Sequence, residues 1–378
     1  MIHDGARHFE PFEDLVYLNA AAQSPLPRVT VEAMREAINV KVRPQNMPDM
    51  FLFDLPNRAR AAVAPLIGAE PSEIFLGNGM SHGSNVAALG FPWQPGDEVV
   101  LTTNEFPANL YIWANAAKRA GGKPVFVKGK GRAATTDEIL AAFTDRTRAV
   151  MVSLVDFGSG EVQDVARLVA ACRERGAFLG IDGTQAAGIV PVDVKTLGAN
   201  LFTAGAYKWM LGPYGAGFGW LDAEWFERIA PTYVTWTAAE GAENFNALPR
   251  ETWKWVCYAR RFDAPETASF VNMTAMARSA EFITELGRDA IYAHVTGLLS
   301  RLEANLPNGF RRRATPSKLA GPILLIEGDD VPRVHAAYHR LREHKFWVSL
   351  REDGIRVSPH IYNTEAQIDA FLETLASS

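Results

Sequence analysis

Two side chains near the middle of the chain have the types and spacing of a reactive site. Asp182 ends the predicted strand AFLGID, and Lys208 stands in a turn after the next predicted strand, NLFTAGA. Active sites of open α/β sheets lie at the carboxyl ends of strands, so we expect both side chains to face one crevice. A carboxylate that pairs with a protonated pyridine nitrogen, together with a lysine that forms a Schiff base, is what a pyridoxal phosphate site requires.

A third feature is the stretch GNGMSHGSNVAALG at 77–90, which lies between a predicted strand and a predicted helix. Backbone N–H groups at the start of a helix bind phosphate well, and Ser81 can add a hydroxyl donor. The stretch has neither the Gly-Lys-Ser/Thr of a Walker loop nor the G-x-G-x-x-G of a dinucleotide site. A glycine-serine turn by itself is more often structural, so the phosphate interpretation needs further support.

Two other clusters of polar residues do not indicate a catalytic or metal site. His335, His339 and His344 give an HxxxH pattern without the glutamate of HExxH or a third convergent ligand, so no metal is expected. The basic run at 311–313 follows a turn and is predicted to be a solvated loop.

The elements that must position these residues alternate between apolar runs and helical patterns from about Leu52 to Trp220. This alternation is typical of an α/β domain with a mostly parallel sheet. Seven runs are predicted to be its strands: 73–77, 97–103, 123–129, 148–155, 177–182, 200–206 and 217–222. Helices are predicted at 30–42, with Thr30 as N-cap, and at 109–121, 135–143 and 162–176.

The pattern changes after Trp220. Residues 223–270 show weak periodicity and are predicted to connect to a second unit of helices, a strand and a hairpin. We therefore expect three parts: an N-terminal arm (1–29) that packs with the small domain and the active site, a large α/β cofactor domain (30–260) with a seven-stranded sheet, and a small α+β domain (261–378).

Composition narrows the classes of function. The 378 residues carry 38 Lys plus Arg against 43 Asp plus Glu, a formal charge of −5, which would attract neither nucleic acid nor an anionic membrane. No stretch approaches the roughly 18 apolar residues of a membrane span, and the N-terminus resembles no secretory signal. The 2 cysteines, Cys172 and Cys257, lack disulfide or zinc spacing. We expect a cytoplasmic protein that acts on small molecules.

The chain resembles the class V aminotransferase group of fold-type I pyridoxal phosphate enzymes, which includes cysteine desulfurases, kynureninases and isopenicillin-N-epimerase-like proteins. The likeness runs from YLNAAAQSPLP (17–27) to IRVSPHIYNTEAQID (355–369). The D-x-x-Q element of the family appears as Asp182 to Gln185, and its lysine with a Gly-Pro-x-G turn appears as Lys208 and GPYG (212–215). Tyr207 replaces the usual histidine and is similar to the kynureninase branch.

The resemblance implies pyridoxal 5′-phosphate as cofactor and assigns roles around it. Lys208 would hold the cofactor, Asp182 would keep its pyridine nitrogen protonated, and Gln185 would bond its phenolate oxygen. Phe106, in NEFPANLYIW, would stack on the ring; the alternative is one more core phenylalanine. The phosphate would be bound by Met80 (through its amide), Ser81 and Tyr207.

The resemblance also implies a substrate site and a subunit partner. Arg356 matches the arginine that grips the α-carboxylate of an amino acid. Asn19 matches a residue of the family's N-terminal arm, which closes over the substrate. Trp236 is a candidate for lining the same pocket; the alternative is a buried structural tryptophan. Thr267 stands near a threonine that contacts the phosphate of a neighbouring subunit, although Glu266 replaces the usual glycine before it. The family thus implies a homodimer with shared active sites.

The resemblance leaves the reaction open. An amino acid or similar substrate would form an external aldimine and lose its α-proton to Lys208. Transamination is the preferred prediction; the alternatives are β-elimination by a C–S lyase, kynureninase-like C–C hydrolysis, epimerisation, and a catalytically silent binding protein. A cysteine desulfurase would need a nucleophilic cysteine just before the Arg356 strand, and EHKFWVSLREDGIR has none.

Overall fold

The computed structural model describes residues 4–129, 133–267, 269–314 and 321–377. Its strands are β1 (Val16–Tyr17), β2 (Ile74–Gly77), β3 (Glu98–Thr102), β4 (Lys123–Val127), β5 (Thr147–Ser153), β6 (Phe178–Asp182), β7 (Leu201–Gly205), β8 (Gly217–Leu221), β9 (Phe310–Arg312), β10 (Leu324–Gly328), β11 (Phe346–Trp347), β12 (Ser349–Arg351) and β13 (Gly354–Val357). Its α-helices are α1 (Arg28–Val42), α2 (Phe51–Val63), α3 (Met80–Gly90), α4 (Pro107–Arg119), α5 (Thr136–Ala141), α6 (Val165–Arg175), α7 (Val194–Leu197), α8 (Phe270–Leu286), α9 (Arg288–Ala304), α10 (Val331–Glu343) and α11 (Glu365–Ala376).

A seven-stranded sheet forms the centre of the chain, in the order β2-β8-β7-β6-β5-β3-β4. Neighbouring strands run parallel except for β8, which is antiparallel to both β2 and β7. Every residue of β3, β6, β7 and β8 is buried, as expected of strands whose two faces are both covered. The predicted α/β fold with a seven-stranded, mostly parallel sheet is confirmed.

The strand order brings polar side chains to one edge of this sheet. Ser153, the last residue of β5, is in register with Asp182, the last residue of β6. Asp182 is in turn paired with Thr203 on β7, and Lys208 lies in the turn that follows this strand. Because β5, β6 and β7 are parallel, their carboxyl ends open into one crevice that receives these side chains.

A second, antiparallel sheet lies in the C-terminal part of the chain, in the order β12-β13-β10-β9. The N-terminal arm joins this part, because β1 pairs in parallel with β11 and Asn19 forms a bridge with Ser358. The Ala20 amide donates to the Ser358 carbonyl at 2.9 Å, which continues the pairing. The arm therefore runs beside the strand that carries Arg356.

The first helix begins earlier than predicted, so Thr30 is not its N-cap. Pro27 holds the cap position in an extended conformation, with φ −61° and ψ 150°, because its ring fixes φ. Thr30 lies inside the first turn, where its hydroxyl is 2.8 Å from that of Ser279 on α8. The threonine therefore joins two packed helices.

The basic run at 311–313 is not a solvated loop, and that prediction was wrong. Its first two residues belong to β9, which pairs with β10. Arg312 donates to Glu303 at 2.9 Å, and Arg313 donates to Glu327 at 2.6 Å. Paired carboxylates on the adjoining strand and helix hold these arginines in regular structure.

The segment at 223–267 has weak regular structure, in agreement with its sequence pattern. Among its residues the structure shows 3₁₀ turns at Ala223–Trp225, Trp236–Ala238 and Ala259–Phe262, and an isolated bridge between Ala239 and Trp255. Across the described part of the chain, no helix has the length and apolar character needed to cross a membrane.

Candidate active site

A cavity of about 300 Å³ lies at the carboxyl edge of the seven-stranded sheet. Ser153, Phe157 and Tyr214, which the sequence did not single out, line part of it. All the predicted cofactor residues except Thr267 come from separate segments and meet in its wall: Met80, Ser81, Phe106, Asp182, Gln185, Tyr207 and Lys208.

Lys208 places a buried, unpaired amine in this cavity. The residue is 8% exposed, and Nζ lies 5.7 Å from the centroid of the Phe106 ring. None of the described residues forms a hydrogen bond or an ion pair with Nζ. Burial lowers the pKa of Lys208 to about 8, a shift that Asp182 opposes and Arg356 reinforces. About one tenth of the amine is therefore neutral at pH 7, which suits a nucleophile or a base.

Asp182 supplies a carboxylate to the same cavity. It is 5% exposed, and Oδ1 accepts a hydrogen bond of 2.8 Å from the Thr184 amide. Burial raises the pKa of Asp182, whereas the hydrogen bonds from Thr184 and the charge of Lys208 lower it. Charges interact more strongly away from water, so this carboxylate is suited to hold a protonated ring nitrogen.

The start of α3 forms a cradle that fits a phosphate. Gly79 precedes the helix with φ 152°, which L residues rarely adopt, and no atom lies within 4 Å of the position its Cβ would take. The amides of Met80 and Ser81 follow, and first-turn amides have no partner inside a helix. Tyr207 lies across the cavity, where burial and Tyr214 raise the pKa of its hydroxyl to about 12. The hydroxyl therefore stays protonated and can donate to an anion.

Phe106 belongs to the cavity and not to the core. It is 45% exposed and stands immediately before α4. Its ring meets Lys208 Nζ on one side and the edge of Phe157, at 5.7 Å between centroids, on another. A partly exposed aromatic face beside the lysine fits a flat, conjugated ring.

Gln185 is bound to the protein through both ends of its amide. Nε2 donates to the Ala21 carbonyl at 3.0 Å, and Oε1 accepts from the Trp209 indole at 2.7 Å. One amide hydrogen is left for a partner in the cavity. The expected bond from Gln185 to a phenolate oxygen rests on this hydrogen and stays a prediction.

Arg356 places a buried cation beside the cavity. It is 2% exposed; Nη1 donates to the Phe157 carbonyl at 2.7 Å and Nη2 to Asn19 Oδ1 at 3.3 Å. Nε has no hydrogen-bond partner among the described residues, and none of their carboxylates forms an ion pair with this guanidinium. A buried charge without a counter-ion is costly, so the geometry suits an anion that arrives with the substrate.

The neighbours of Arg356 hold it in place and shift its pKa. Burial and the Arg351 charge lower the pKa of Arg356 to about 10, and Asp156 opposes them. Asn19 Oδ1 accepts a second hydrogen bond, of 2.8 Å, from the Ser349 hydroxyl. Asn19 thus orients the Arg356 guanidinium from the N-terminal arm, beside the cavity.

Two predicted site residues lie elsewhere in this chain. Trp236 packs edge-on against Phe53 at 5.8 Å, and the Thr267 hydroxyl donates to the Ala264 carbonyl. Both line a cleft beside α2 that is separate from the Lys208 cavity. Trp236 does not line the Lys208 cavity of its own chain, and its expected contact with a substrate stays a prediction. A contact of Thr267 with a neighbouring subunit stays a prediction.

Two of the residues that sequence reasoning missed, Ser153 and Glu105, contact each other. Ser153 carries a detectable signal, since it lies near the end of a predicted strand at the same sheet edge as Asp182. Glu105 has no such signal beyond its position next to Phe106, yet its carboxylate contacts Ser153. As for metals, no group of three candidate ligands occurs among the described residues.

An α/β sheet with an unpaired lysine, a carboxylate and a phosphate cradle at its carboxyl edge defines a pyridoxal-phosphate-dependent enzyme of fold type I. The sequence profile described as aminotransferase class V matches residues 16–318, and the chain belongs to that family. The family uses pyridoxal phosphate, and the predicted cofactor and family are confirmed.

Individual proteins of several activities are similar to this chain. Isopenicillin N epimerase of Streptomyces clavuligerus is 26% identical over 96% of this chain and 94% of its own length. A probable cysteine desulfurase of Methanothermobacter thermautotrophicus is 25% identical over 98% of this chain and 96% of its own. The solved structure of the cystine C–S lyase C-DES with its product cysteine persulfide aligns with a TM-score of 0.85 and 23% identity, over 96% and 97% of the two chains.

Proposed function

We propose that this enzyme transaminates an amino acid, with Arg356 binding the α-carboxylate and Lys208 moving the Cα proton. The observation that carries the proposal is a buried, unpaired amine in the cavity and, beside it, a buried guanidinium without a counter-ion that donates to the Phe157 carbonyl of the cavity wall. An amino acid offers a carboxylate to the first group and an α-proton to the second.

The residues of the cavity fit pyridoxal phosphate. The amides of Met80 and Ser81 and the Tyr207 hydroxyl would hold the phosphate, Asp182 the ring nitrogen, and Phe106 the ring face. When bound, the cofactor supplies an electron sink that stabilises negative charge at Cα. Lys208 would be the covalent anchor for the cofactor. When a substrate amine has displaced this lysine, its lowered pKa suits it to take the Cα proton.

The cysteines support transamination over desulfuration. Cys172 is buried on α6, and burial raises the pKa of its thiol to about 12, so it is not a nucleophile. Cys257 is exposed in the segment at 223–267 and does not line the Lys208 cavity. The turn that precedes β13 carries Glu352 and Asp353, and no cysteine stands between Phe346 and Arg356.

Epimerisation is the second candidate, favoured by the similarity to isopenicillin N epimerase. In that reaction a proton would return to Cα on the face opposite to the one from which Lys208 took it. β-Elimination, the activity of a C–S lyase, needs in addition a substrate with a leaving group at Cβ. The three reactions share one site and differ in their products.

A product assay separates these reactions. Purified holoenzyme is incubated with a panel of amino acids, and pyridoxamine phosphate, ammonia, keto acids and substrate chirality are followed. Transamination predicts pyridoxamine phosphate and a keto acid without ammonia. Ammonia with a keto acid would establish elimination instead, and racemised substrate alone would establish epimerisation. Lys208→Ala is the negative control for all three.

We further propose a cytoplasmic homodimer with shared sites. The position of Thr267 away from its own cavity supports this, since a neighbouring subunit would give it a phosphate to contact. Light scattering gives the mass, and mixing Lys208→Ala with Thr267→Ala subunits tests the sharing. Restored activity in the mixture is expected, and its absence would argue for self-contained sites.

A further inference from the structure

Glu105 is a half-buried carboxylate beside the cavity to which the proposed function gives no role. It stands between β3 and α4, immediately before Phe106. Oε1 accepts a hydrogen bond of 2.6 Å from the Ser153 amide. Oε2 accepts from the Ser153 hydroxyl and, at 3.2 Å, from Asn109 Nδ2. One carboxylate therefore ties the loop that carries Phe106 to the end of β5.

Ser153 connects Glu105 to the reactive edge of the sheet. It lines the cavity and is in register with Asp182 on β6. Because its single hydroxyl hydrogen is donated to Glu105, Oγ presents only lone pairs toward the cavity. Glu105 thus contacts, from the loop after β3, the serine whose backbone is in register with Asp182.

The groups that face Glu105 differ in charge from one element to the next. Asn109 on α4 and Ser153 on β5 are neutral, and Asp182 on β6 is a second carboxyl group that acts on Glu105 through its charge. Burial and the Asp182 charge raise the pKa of Glu105 to about 7, against the hydrogen bonds from Ser153. The carboxyl is therefore half ionised near neutral pH and mostly ionised above it.

We propose that Glu105 is a second carboxylate of the cofactor site, a positioning residue that holds Ser153 and Phe106 and adds negative charge beside Asp182. The inference rests on the proposed function, because the charge acts on a cofactor bound at Lys208. An anion favours the protonated form of a nearby cationic group. Removing this charge therefore lowers the pH at which the cofactor link at Lys208 loses its proton.

The test is a pH titration of the visible absorbance of substrate-free holoenzyme, with wild type compared to Glu105→Gln. Glutamine keeps the size and an acceptor oxygen but removes the charge. The midpoint should fall by about one pH unit, the size expected for the loss of one nearby charge in a partly buried site. The control is Glu98→Gln, which removes a buried carboxylate paired with Lys123 at the far end of β3 and should leave the midpoint unchanged.

Equal midpoints in wild type and Glu105→Gln, or an equal shift in Glu98→Gln, would overturn the inference. A lower melting temperature of Glu105→Gln with an unchanged midpoint would show a purely structural residue. If wild-type protein acquires no visible band with pyridoxal phosphate, the proposed function fails first. Because no substrate is present, a wrong choice of reaction leaves this test intact.

Discussion

Replacing Arg356 by leucine should abolish the preference of the enzyme for substrates that carry a carboxylate. The guanidinium is buried and has no carboxylate partner among the described residues, so a substrate anion would be its counter-ion. The assay compares kcat/KM for an amino acid with that for the primary amine of the same side chain, which lacks the carboxylate. Wild type should favour the amino acid strongly, and Arg356→Leu should treat the two alike.

The size of this effect follows from the surroundings of the guanidinium. Removing one partner of a buried, hydrogen-bonded ion pair costs about 2–5 kcal/mol. At 1.36 kcal/mol for each factor of ten, kcat/KM for the amino acid should fall by roughly 30-fold to 5000-fold. The free energy of unfolding should change by less than about 2 kcal/mol, because two acceptors lose a donor while an uncompensated buried charge disappears.

Arg351→Leu is the matched control, since Arg351 is exposed on the neighbouring strand β12 and no described carboxylate pairs with it. It should keep the preference for the amino acid. If Arg356→Leu also keeps that preference, or loses activity equally toward the amine, then Arg356 does not bind the α-carboxylate.

Three further predictions concern single groups. Borohydride reduction of holoenzyme should attach the cofactor to the peptide with Lys208, as read by mass spectrometry, and label on Lys208→Ala would refute the anchor. The rate at which apoenzyme takes up pyridoxal phosphate should rise about tenfold from pH 7 to pH 9, because burial lowers the pKa of Lys208 to about 8 and the neutral amine attacks; a flat profile would contradict this. His360 is fully buried, with Nε2 3.2 Å from the Trp209 carbonyl and Nδ1 accepting from the Ile361 amide, and burial lowers its pKa from 6.5 to about 4. The unfolded chain then binds more protons at His360 between these values, so this residue should contribute about 2 kcal/mol of stability loss from pH 7 to pH 5. The measurement is the difference in pH dependence of denaturant unfolding between wild type and His360→Leu, because other groups, Glu105 among them, titrate in the same range.

The sequence allowed the centre of the site to be predicted because strand ends are readable. Asp182 and Lys208 follow buried runs in neighbouring strands, and the parallel sheet rule places them together. The role of Arg356 could be predicted only from the family resemblance, because the sequence of a strand does not show whether its arginine is buried or on the surface. Glu105 was missed because a carboxylate between a strand and a helix is usually solvated, and its inward turn depends on Ser153, distant in sequence.

Helix starts and polar runs were less predictable because tertiary partners decide them. Thr30 is a residue type that often caps helices. Pro27 occupies the cap position instead, and the Thr30 hydroxyl forms a hydrogen bond with Ser279 on α8. The sequence at 311–313 suggests solvated arginines, but α9 supplies a carboxylate to Arg312 and β10 supplies one to Arg313. Trp236 was equally suited to a pocket or to packing; it packs on Phe53, yet it is 43% exposed and lines a cleft away from Lys208, so its role stays a prediction.

The hydrogen bond between Asn19 and Arg356 joins residues 337 positions apart, with the cofactor cavity encoded between them. During synthesis, the parts that fit the cofactor are therefore complete well before the carboxylate site, which needs the last strand of the chain and the arm made at the beginning. A protein shortened before β13 should still bind the cofactor and show its colour, but it would lack Arg356 and bind the carboxylate of an amino acid weakly. The same bond makes the N-terminus a poor place for changes in this enzyme, because a disturbance of the arm is felt first as weaker substrate binding.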